Sequence, residues 1–558
     1  MKDRRKRNGV VSWSTFFCCT LLVVLSCILI TTLAFSPFTP PTPQWDPPRT
    51  PSHAAIAIRE TVMLPDQALV FLSYPPSFPF HTQRDLLCLH FNADSLRTLS
   101  QPPIQVHLAR LRDQIVRCAL PPRGNTLSLV IKSKRVVQLQ PQASSVYKWT
   151  PLVYEAFFDR DNTTIVFVKG LNLRPERLIE PSKFKCLFGW DFTNPKFVLK
   201  SNAISAAQEI IRCKTPKSIL TDQAQAQAQA HAQSIKVTIQ VDEREILPSI
   251  GRPGLRQLRN PPRRKAHELC ICTMLRNQAR FIKEWIMYHT RIGVQRWFIY
   301  DNDSNDDIEN VISSLKSIGY NISQHLWPWV KTQEAGFAHC ALRARASCEW
   351  VGFIDVDEYF NVKIKGGLQS VIWHHARHGR NVGEIRTRCY SFGPSGLRQV
   401  PREGVMVGYT CRLRASERHK SIVRPEALNQ SLINVVHHFH LREPFVSVDV
   451  EKGVMVINHY KYQVWKVFKK KFQRRVATYV ADWREKQNAE SKDRVPGLGT
   501  KAVEPVGWAN RFCQVRDMGL RNMVMREFLD RRTSFLPWQP EFEHQFRRKR
   551  RRKVRKPI

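Results

Sequence analysis

The chain has 558 residues, with 87 lysines and arginines against 47 aspartates and glutamates, which gives a formal charge of +40 at pH 7. This length predicts about two or three folded units rather than one core, and a hydrophobic fraction of 42% excludes a wholly disordered chain. A charge of this size suits a polyanion such as nucleic acid, acidic lipid or acidic polysaccharide. Part of it lies in clusters at residues 2–7 and 547–556, so its location decides what it binds.

The N-terminal segment predicts a single membrane anchor. Residues 10–35 carry no charge and exceed the roughly 20 helical residues that cross a bilayer. The alternative, a cleaved signal peptide, needs a shorter apolar run of about 7–15 residues and a small-residue cleavage site. Residues 1–9 form a basic, cytoplasmic tail by the positive-inside rule, which predicts a type II orientation. Residues 36–59 are rich in proline and predict an extended stem. The remaining chain is then expected in the secretory lumen, where disulfides form.

Residues 60–245 contain short β segments separated by Pro, Gly, Asn and Asp, which predicts a β-sandwich-like domain. The predicted strands are Leu69–Leu72, Leu86–Phe91, Val136–Leu139, Leu152–Phe158, Thr164–Val168, Phe184–Phe188 and Ser234–Val241. Ile115–Pro122 and Ile210–Pro216 share an Ile-x-Arg-Cys sequence, but two short matches do not establish a repeat. Four cysteines, Cys88, Cys118, Cys186 and Cys213, allow three pairings among which the sequence does not choose. Residues 246–266, rich in Pro, Gly and Arg, are predicted as a linker.

From His267 the pattern changes to alternating strands and helices. Glu268–Leu275 predicts an apolar strand, residues 277–291 a helix, and Gln295–Tyr300 a second strand followed by Asp301. Such a unit has parallel strands, which present ligand contacts at their carboxyl ends. A helix at 333–348 and an apolar strand at Trp350–Ile354 repeat the arrangement. We expect Cys270 and Cys272 to lie on opposite faces of the first strand rather than to bind zinc, because no paired Cys-x-x-Cys motif is present.

An Asp-x-Asp motif, Asp355 and Asp357, follows the second apolar strand of this region. Alternation along a strand puts both side chains on one side, and adjacent carboxylates repel unless a cation or hydrogen bonds compensate. A Mg²⁺ or Mn²⁺ ion takes oxygen ligands from one or two carboxylates and completes its shell with phosphate and water. The alternative is a solvated turn. The position after a buried strand favours a site for a metal and a diphosphate.

Four segments stand in order between residues 267 and 485: ELCICTMLRNQARFIKEWIMYHTRIGVQRWFIYDNDSNDD, WPWVKTQEAGFAHCALRARASCEWVGFIDVDEYF, RHKSIVRPEA and INHYKYQVW. Together they resemble glycosyltransferase family 92, which includes plant β-galactan galactosyltransferases, and they look closer to its less characterised plant members. The resemblance implies a GT-A fold, a nucleotide-sugar donor, divalent-metal dependence and inversion at the anomeric carbon. Galactan synthases of the family also carry an N-terminal β-sandwich carbohydrate-binding module, which fits the strands predicted at 60–245.

The expected fold class is therefore α/β. A GT-A transferase domain at 267–540, mostly a parallel sheet with βαβ units, follows the β-sandwich-like domain and one transmembrane helix. A basic tail at 541–558 ends the chain.

The resemblance and the side-chain chemistry together predict the donor site. Asp355 and Asp357 are expected to bind the metal with His459, since GT-A enzymes commonly bring a late histidine to the metal or diphosphate. Asp301 occupies the position of the acid that contacts ribose or base in those enzymes, and its alternative is a turn-forming aspartate. Further donor contacts are expected from Arg276, Asn277, Lys420 and Arg424.

Inverting transfer needs a base that deprotonates the acceptor hydroxyl. Glu417 is the first candidate, joining Asp355 and Asp357 as a catalytic residue, and Glu358 and Glu384 come next. Each of these glutamates could instead be a surface acid or an ion-pair partner. The cluster at His437, His438 and His440 has less weight as a set of ligands because no carboxylate is near in sequence. Trp327 and Trp329 could stack on a sugar, although core packing is the commoner fate of tryptophan.

We therefore expect a Golgi type II membrane enzyme that uses Mn²⁺ or Mg²⁺ to transfer a hexose, galactose first, from a UDP-sugar to a cell-wall polysaccharide or glycan. The alternative is a membrane-anchored, non-catalytic carbohydrate-binding protein on a transferase scaffold. Acidic pectin is a candidate partner for the basic surface, and a homodimer is left open. Nucleic acid is not expected as a partner, because the basic tail lies in the lumen and no base-stacking motif is present.

Overall fold

The structure is a computed structural model that describes most of one compact unit running from Ala55 to Ile558. The described residues are 56–75, 78–92, 98–108, 113–132, 137–139, 145–171, 178–221, 235–254, 264–378, 381–435, 437–473 and 503–540. The predicted cytoplasmic tail, membrane span and basic C-terminal tail lie outside these ranges, as does most of the predicted stem. Within them, no helix combines the length and the apolar character that crossing a bilayer requires.

The described strands between residues 57 and 148 form two sheets. The strands are β1 Ala57–Met63, β2 Gln67–Ser73, β3 Leu86–Phe91, β4 Thr98–Gln101, β5 Gln105–Leu108, β6 Asp113–Ala119, β7 Thr126–Ile131, β8 Val137–Leu139 and β9 Val146–Lys148. The strand orders are β5-β6-β2-β1-β9 and β4-β3-β7-β8. A disulfide from Cys88 in β3 to Cys118 in β6 joins the two sheets. One apolar cluster contains side chains from both.

The described strands between residues 152 and 246 form one seven-stranded sheet. The strands are β10 Leu152–Phe158, β11 Thr163–Lys169, β12 Phe184–Gly189, β13 Val198–Ala207, β14 Ile210–Lys214, β15 Lys236–Val241 and β16 Glu245–Ile246. Their order is β10-β11-β14-β13-β12-β15-β16, and a disulfide from Cys186 to Cys213 joins β12 to β14. The predicted linker begins as a segment bonded to this sheet, since Val153 N donates to Pro248 O at 2.9 Å.

These two β regions repeat one arrangement. β2 lies between β1 and β6 as β11 lies between β10 and β14, and β3 pairs with β7 as β12 pairs with β15. In each region the disulfide ends on the strand that carries the Ile-x-Arg-Cys sequence. The shared sequence around Arg117 and Arg212 therefore marks a structural repeat. We call residues 57–148 and 152–246 the first and second β repeats.

The rest of the described chain contains thirteen strands, nine of which form one large sheet. The strands are β17 His267–Leu275, β18 Arg296–Asp301, β19 Ile322–Leu326, β20 Cys348–Phe353, β21 Glu358–Val362, β22 Val382–Ser391, β23 Cys411–Arg412, β24 Glu417–Val423, β25 Asn434–Val435, β26 His438–Phe439, β27 Val446–Asp449, β28 Met455–His459 and β29 Val515–Arg516. The large sheet runs β19-β18-β17-β20-β24-β22-β28-β21, and β27 also pairs with β22. Outside it, β23 pairs with β29 and β25 with β26. The strands β17 to β20 are parallel to one another, as the predicted βαβ units require.

Helices connect these strands. They are α1 Ala279–Arg291, α2 Ile308–Ser317, α3 Gln333–Ala344, α4 Gly367–His378, α5 Val405–Gly408, α6, described over 465–473, and α7 Gly519–Glu527. The apolar spacing of Ile282, Trp285 and Ile286 explains how α1 packs, since all three are buried against the sheet core. The predicted helix and both flanking strands of the first βαβ unit are therefore present.

Each face of the large sheet packs against a different layer. Leu269 and Ile271 of β17 belong to an apolar cluster with α1, α2 and α4. Cys270 and Cys272 face the other cluster, which contains residues of α3 and of both β repeats. The expectation that these two cysteines lie on opposite faces was wrong, because residues two apart in a strand share a face. They form disulfides with Cys348 and Cys340.

Candidate active site

Most of the predicted site residues lie at one edge of the large sheet. Because β17, β18 and β20 are parallel, the residues that end or follow these strands share that edge. They are Arg276, Asn277, Asp301, Asp355 and Asp357. Two further strands bring distant residues to the same place. β24 sets Ser421 opposite Phe353, next to Lys420 and Asp355, and β28 sets His459 opposite Glu358.

Asp355 lies against a buried lysine. Lys420 Nζ lies 3.2 Å from Asp355 Oδ2 and 3.0 Å from Glu358 Oε1, while Asp355 N donates to Glu358 Oε2 at 2.9 Å. Burial alone would raise the pKa of Asp355, but Lys420 and then His437 outweigh it and lower that pKa to about 2. Burial raises the pKa of Glu358 in spite of Lys420. Asp355 is one-third exposed, 34%, whereas Glu358 is only 1% exposed, so Asp355 is the accessible carboxylate of the pair.

Asp357 lies between a histidine and a second lysine. His459 Nε2 lies 3.5 Å from Asp357 Oδ2, and Lys471 of α6 donates a hydrogen bond to the same oxygen. Burial would raise the pKa of Asp357, but Lys471 and His459 hold it well below its usual range. His459 Nδ1 also lies 3.7 Å from Glu358 Oε1. We call Asp355, Asp357, Glu358, Lys420, His459 and Lys471 the carboxylate cluster.

Glu417, the first candidate for the base, lies at the rim of this cluster. It is 33% exposed and pairs with Lys461 at 3.1 Å. Burial would raise its pKa, but the nearby charge of Lys461 lowers it. The carboxylate is therefore ionised at neutral pH and able to accept a proton. Glu384, by contrast, is fully buried and bonded to His438 and Ser447.

Asp301 is part of a tightly bonded loop. It is 1% exposed, and its Oδ1 accepts from Ser304 N at 2.9 Å. Burial raises the pKa of Asp301 against that bond. Asn277, whose φ is +54°, accepts from Asn305 N at 2.6 Å and donates its own N–H to Ser304 Oγ. The 301–306 loop thus holds the segment that follows β17, and the nucleotide-binding roles of Asp301 and Asn277 stay predictions.

The structure does not bring Arg424 to this edge. Its guanidinium lies 4.6 Å from the ring centre of Trp350 and 3.9 Å from Glu349, at the start of β20. Trp327 and Trp329 are also remote from solvent, 0% and 4% exposed. Trp329 stacks on Trp149, which lies between the two β repeats, at 5.4 Å. The two tryptophans therefore pack in the junction between the β repeats and the large sheet, where a sugar has no access.

Sequence reasoning missed Lys471 and His437. In the sequence Lys471 is one of several basic residues between Lys466 and Arg475, and nothing in its spacing points to Asp357. His437 had little weight because no carboxylate is near in sequence, yet its Nε2 lies 3.7 Å from Asp355 Oδ2. Burial, reinforced by Lys420, lowers the pKa of His437 to about 3, so the ring is neutral. Ser421 of β24, which lies opposite Phe353 of β20, donates to His437 O at 2.6 Å and so brings the ring to Asp355, a proximity that no local signal could have revealed.

The carboxylate cluster has the donor atoms that a divalent cation needs. Asp357 Oδ2 and His459 Nε2 converge to 3.5 Å. Glu358 Oε1 is buried, and among the described residues it makes no hydrogen bond, although Lys420 and His459 lie near it. Oxygen ligands suit both Mg²⁺ and Mn²⁺, and the imidazole nitrogen favours Mn²⁺. The residues present therefore fit a divalent metal.

Comparison with known proteins identifies relatives along nearly the whole chain. A family model described as glycosyltransferase family 92 matches residues 265–495. A family 92 protein of Ricinus communis is 55% identical and covers 97% of this chain and 100% of its own length. One of Oryza sativa subsp. japonica is 50% identical, covering 87% of this chain and 82% of its own. One of Arabidopsis thaliana is 44% identical, with 87% and 85% covered.

Two solved structures show a more distant similarity. A Pyrobaculum calidifontis mannosyltransferase in complex with GDP-Man and Mn²⁺ is 10% identical and has a TM-score of 0.25, covering 40% of this chain and 67% of that one. S. aureus TarS, residues 1–349, is 12% identical with a TM-score of 0.24, covering 40% and 73%. The relatives found by sequence are thus much more similar to this chain than these structures are.

Proposed function

Since the chain belongs to glycosyltransferase family 92, we propose that it is a metal-dependent, inverting transferase with a GT-A fold that moves a hexose, galactose first, from a UDP-sugar to a cell-wall polysaccharide or glycan. One observation carries the proposal. Two carboxylates, a histidine and two lysines meet at the carboxyl edge of a parallel sheet, where ligands bind in open α/β sheets.

Asp355, Asp357 and His459 would hold the divalent metal, Mn²⁺ or Mg²⁺. When bound, such an ion neutralises the negative charge that develops on the departing diphosphate. Lys420 keeps the carboxylate of Asp355 ionised and therefore able to act as a ligand. The other residues act on the two substrates directly.

Glu417 is proposed as the base. The acceptor hydroxyl oxygen forms the new bond to the anomeric carbon while the bond from that carbon to the β-phosphate oxygen breaks, and UDP leaves with the bonding electrons. The hydroxyl proton passes to the Glu417 carboxylate, whose partner Lys461 keeps it ionised beforehand. Lys420 supplies positive charge near the phosphates.

The proposed compartment is the Golgi lumen, behind a type II anchor at residues 10–35. Five disulfides among the described residues support an oxidising compartment. Within the described chain Cys389, which is buried, is the free cysteine. The β repeats, taken together, are proposed as a β-sandwich-like carbohydrate-binding module, and acidic pectin is a proposed partner of the basic surface.

A second candidate function follows from Lys471. Its ammonium group lies on Asp357, where a metal would also bind. If lysine replaces the metal permanently, the chain is a membrane-anchored carbohydrate-binding protein without transferase activity.

A donor screen separates these functions. The purified full chain in detergent is incubated with UDP-sugars and glycan acceptors, and UDP release is measured with Mn²⁺ and with a chelator. We expect turnover of one UDP-hexose that requires the metal and is lost in Asp357→Ala. Glu245→Gln, in an exposed strand of the second β repeat, is the control that keeps activity. Turnover that survives in Asp357→Ala, or no turnover of any donor, contradicts the metal-dependent transferase.

A further inference from the structure

Arg117, the arginine of the first Ile-x-Arg-Cys sequence, reaches out of its β repeat into the 301–306 loop. Its side chain is 2% exposed, and its Nε lies 2.6 Å from Asp303 Oδ1. The two terminal nitrogens donate to Ser304 O at 3.2 Å and to Asn305 Oδ1 at 2.9 Å. One guanidinium therefore contacts three consecutive residues of this loop.

Asp303 is the centre of these contacts. Gln67 of β2 donates to Asp303 Oδ2 at 2.6 Å, and Arg276 lies 3.3 Å from the same oxygen. Asp303 is 3% exposed and has a φ of +70°, a left-handed conformation that a non-glycine residue keeps only when its surroundings hold it. The first β repeat thus supplies two of the contacts that hold this carboxylate in place.

Arg276 differs from Arg117 in its exposure. Its side chain is 34% exposed, so it is accessible at the sheet edge while one face of its guanidinium pairs with Asp303. A planar guanidinium suits two phosphate oxygens at once only when its orientation is set. Asp303 fixes the orientation of the Arg276 guanidinium, and Arg117 together with Gln67 fixes the position of the Asp303 carboxylate.

The second β repeat offers a natural comparison. Arg212 holds the equivalent position and is equally buried, 2% exposed. It pairs with Asp159 at 2.9 Å and donates to Gln430 O at 2.9 Å. Among the described residues these contacts do not include the 301–306 loop. The two arginines are matched in burial, charge and position in the repeat, and they differ in which loop they hold.

We propose that Arg117 is a positioning residue for the nucleotide-sugar donor, acting through Asp303 on Arg276. The inference rests on the proposed function, because it assumes that the edge beside Arg276 binds a nucleoside diphosphate. It assigns the first β repeat a part in donor binding that is separate from any glycan recognition by that repeat.

The test measures donor KM and kcat separately in the full chain, together with the dissociation constant of UDP in the presence of Mn²⁺. Arg117→Gln removes the charge and the fork of donors, and we expect the donor KM and the UDP dissociation constant to rise about tenfold while kcat changes much less. Arg117→Lys keeps the charge without the planar set of N–H donors. Its donor KM and UDP dissociation constant are expected to lie between those of the wild type and of Arg117→Gln. Arg212→Gln, the matched control, is expected to leave both constants unchanged.

A purely structural role is tested by two further variants. Gln67→Leu keeps the Arg117 side chain and removes two bonds, the one that Gln67 donates to Asp303 Oδ2 and the one that it accepts from Arg117 Nε. A smaller rise in KM in the folded variant therefore supports the proposal even if Arg117→Gln does not fold. Asp303→Asn combined with Arg117→Gln is expected to raise KM no more than either change alone, because both act on one chain of contacts.

Three results overturn the proposal. They are an unchanged KM in folded Arg117→Gln, an equal rise in Arg212→Gln, and additive effects in the double variant. A wild-type chain that neither binds UDP nor turns over a donor contradicts the proposed function itself. A wild-type chain that is active, with an unchanged KM in Arg117→Gln, contradicts only the role of Arg117.

Discussion

The carboxylate cluster and the 301–306 loop lie at the same edge of the large sheet, but they are held together differently. All six residues of the cluster come from the 267–540 region, and each acid has a cationic or imidazole partner from β24, β28 or α6. The loop depends on a different part of the chain, because Arg117 and Gln67 of the first β repeat hold Asp303. We therefore expect substitutions in the carboxylate cluster to change kcat and substitutions that disturb the 301–306 loop to change the donor KM, and kinetics of single variants can test this difference.

The largest effect is expected for Asp357→Asn. The change keeps the size of the side chain and removes the charge that faces His459 and Lys471. We expect kcat to fall about 100-fold or more, since interactions that stabilise developing charge have this magnitude. Asp303→Asn, at the loop, is expected to raise the donor KM and to leave most of kcat. Steady-state kinetics with saturating Mn²⁺ measures both, and a similar loss of kcat in the two variants would abolish the distinction between cluster and loop.

The next effect concerns stability. Lys420→Met leaves Glu358, 1% exposed, without its ammonium partner at 3.0 Å. Breaking a buried pair by removing one partner costs about 3–5 kcal/mol of unfolding free energy, and denaturant titration followed by tryptophan fluorescence measures it.

Lys461→Met is the matched control for that change, because its partner Glu417 is 33% exposed. Lys461 itself is 8% exposed, but a pair whose carboxylate stays in contact with water is expected to contribute less than a fully buried one, about 1 kcal/mol. Equal losses in the two variants would show that burial does not set the strength of these pairs.

Sequence reasoning could find those features of the site and of the fold that depend on residues close together in the chain. Asp355 and Asp357 follow an apolar run, and that run was enough to place them after a buried strand. β20 ends at Phe353, so both residues lie between β20 and β21 and not in a strand, and the shared side that strand alternation predicts stays a prediction. The predicted strands at Leu86–Phe91 and Leu152–Phe158 have the observed bounds, because their flanking turn residues and apolar runs are unambiguous.

Long-range contacts were beyond such reasoning. Arg117 is 186 residues from Asp303, and its own segment shows only an arginine in an apolar strand, next to a cysteine. His437 reaches Asp355 because Ser421 of β24 holds its carbonyl. Arg424 lies away from the edge although it is only four residues from Lys420. The repeat itself was visible as two similar strand ends, but it took the strand order and both disulfides to establish it.

After Glu358 and Glu417, the buried carboxylate of Glu284 gives a prediction about how stability depends on pH. Glu284 of α1 is 4% exposed and accepts hydrogen bonds from Val405 N and Met406 N, at 2.9 and 3.0 Å. Burial raises the pKa of Glu284 from 4.5 to about 7 against these two bonds. A pKa that folding raises gives stability that is full below the unfolded value and is lost as the pH rises through the folded one. The folded state therefore loses stability between pH 4.5 and pH 7 because of this group.

Glu284→Gln tests that loss. The variant keeps an acceptor for one backbone N–H and does not titrate, so the wild-type chain should lose about 2.5 kcal/mol more unfolding free energy than the variant between pH 5 and pH 8. Denaturant titrations of both proteins at the two pH values measure the difference. Parallel stability profiles would show that the buried Glu284 carboxylate has an ordinary pKa.

The smallest effect is expected where a cation of the cluster competes with the metal. Lys471 donates to the oxygen of Asp357 that also faces His459, and it is 23% exposed, so the pair is worth about 1 kcal/mol. A metal must displace the ammonium group before it binds that oxygen. Lys471→Ala should therefore lower the Mn²⁺ concentration at half-maximal turnover about fivefold, whereas Arg117→Gln, which acts at the loop, should leave it unchanged. Lys470→Ala, at an exposed position of the same helix, controls for the general loss of positive charge. If Lys471→Ala raises the Mn²⁺ requirement, Lys471 supports the metal-loaded state instead of opposing it, and a fall in kcat would assign its charge to the departing diphosphate.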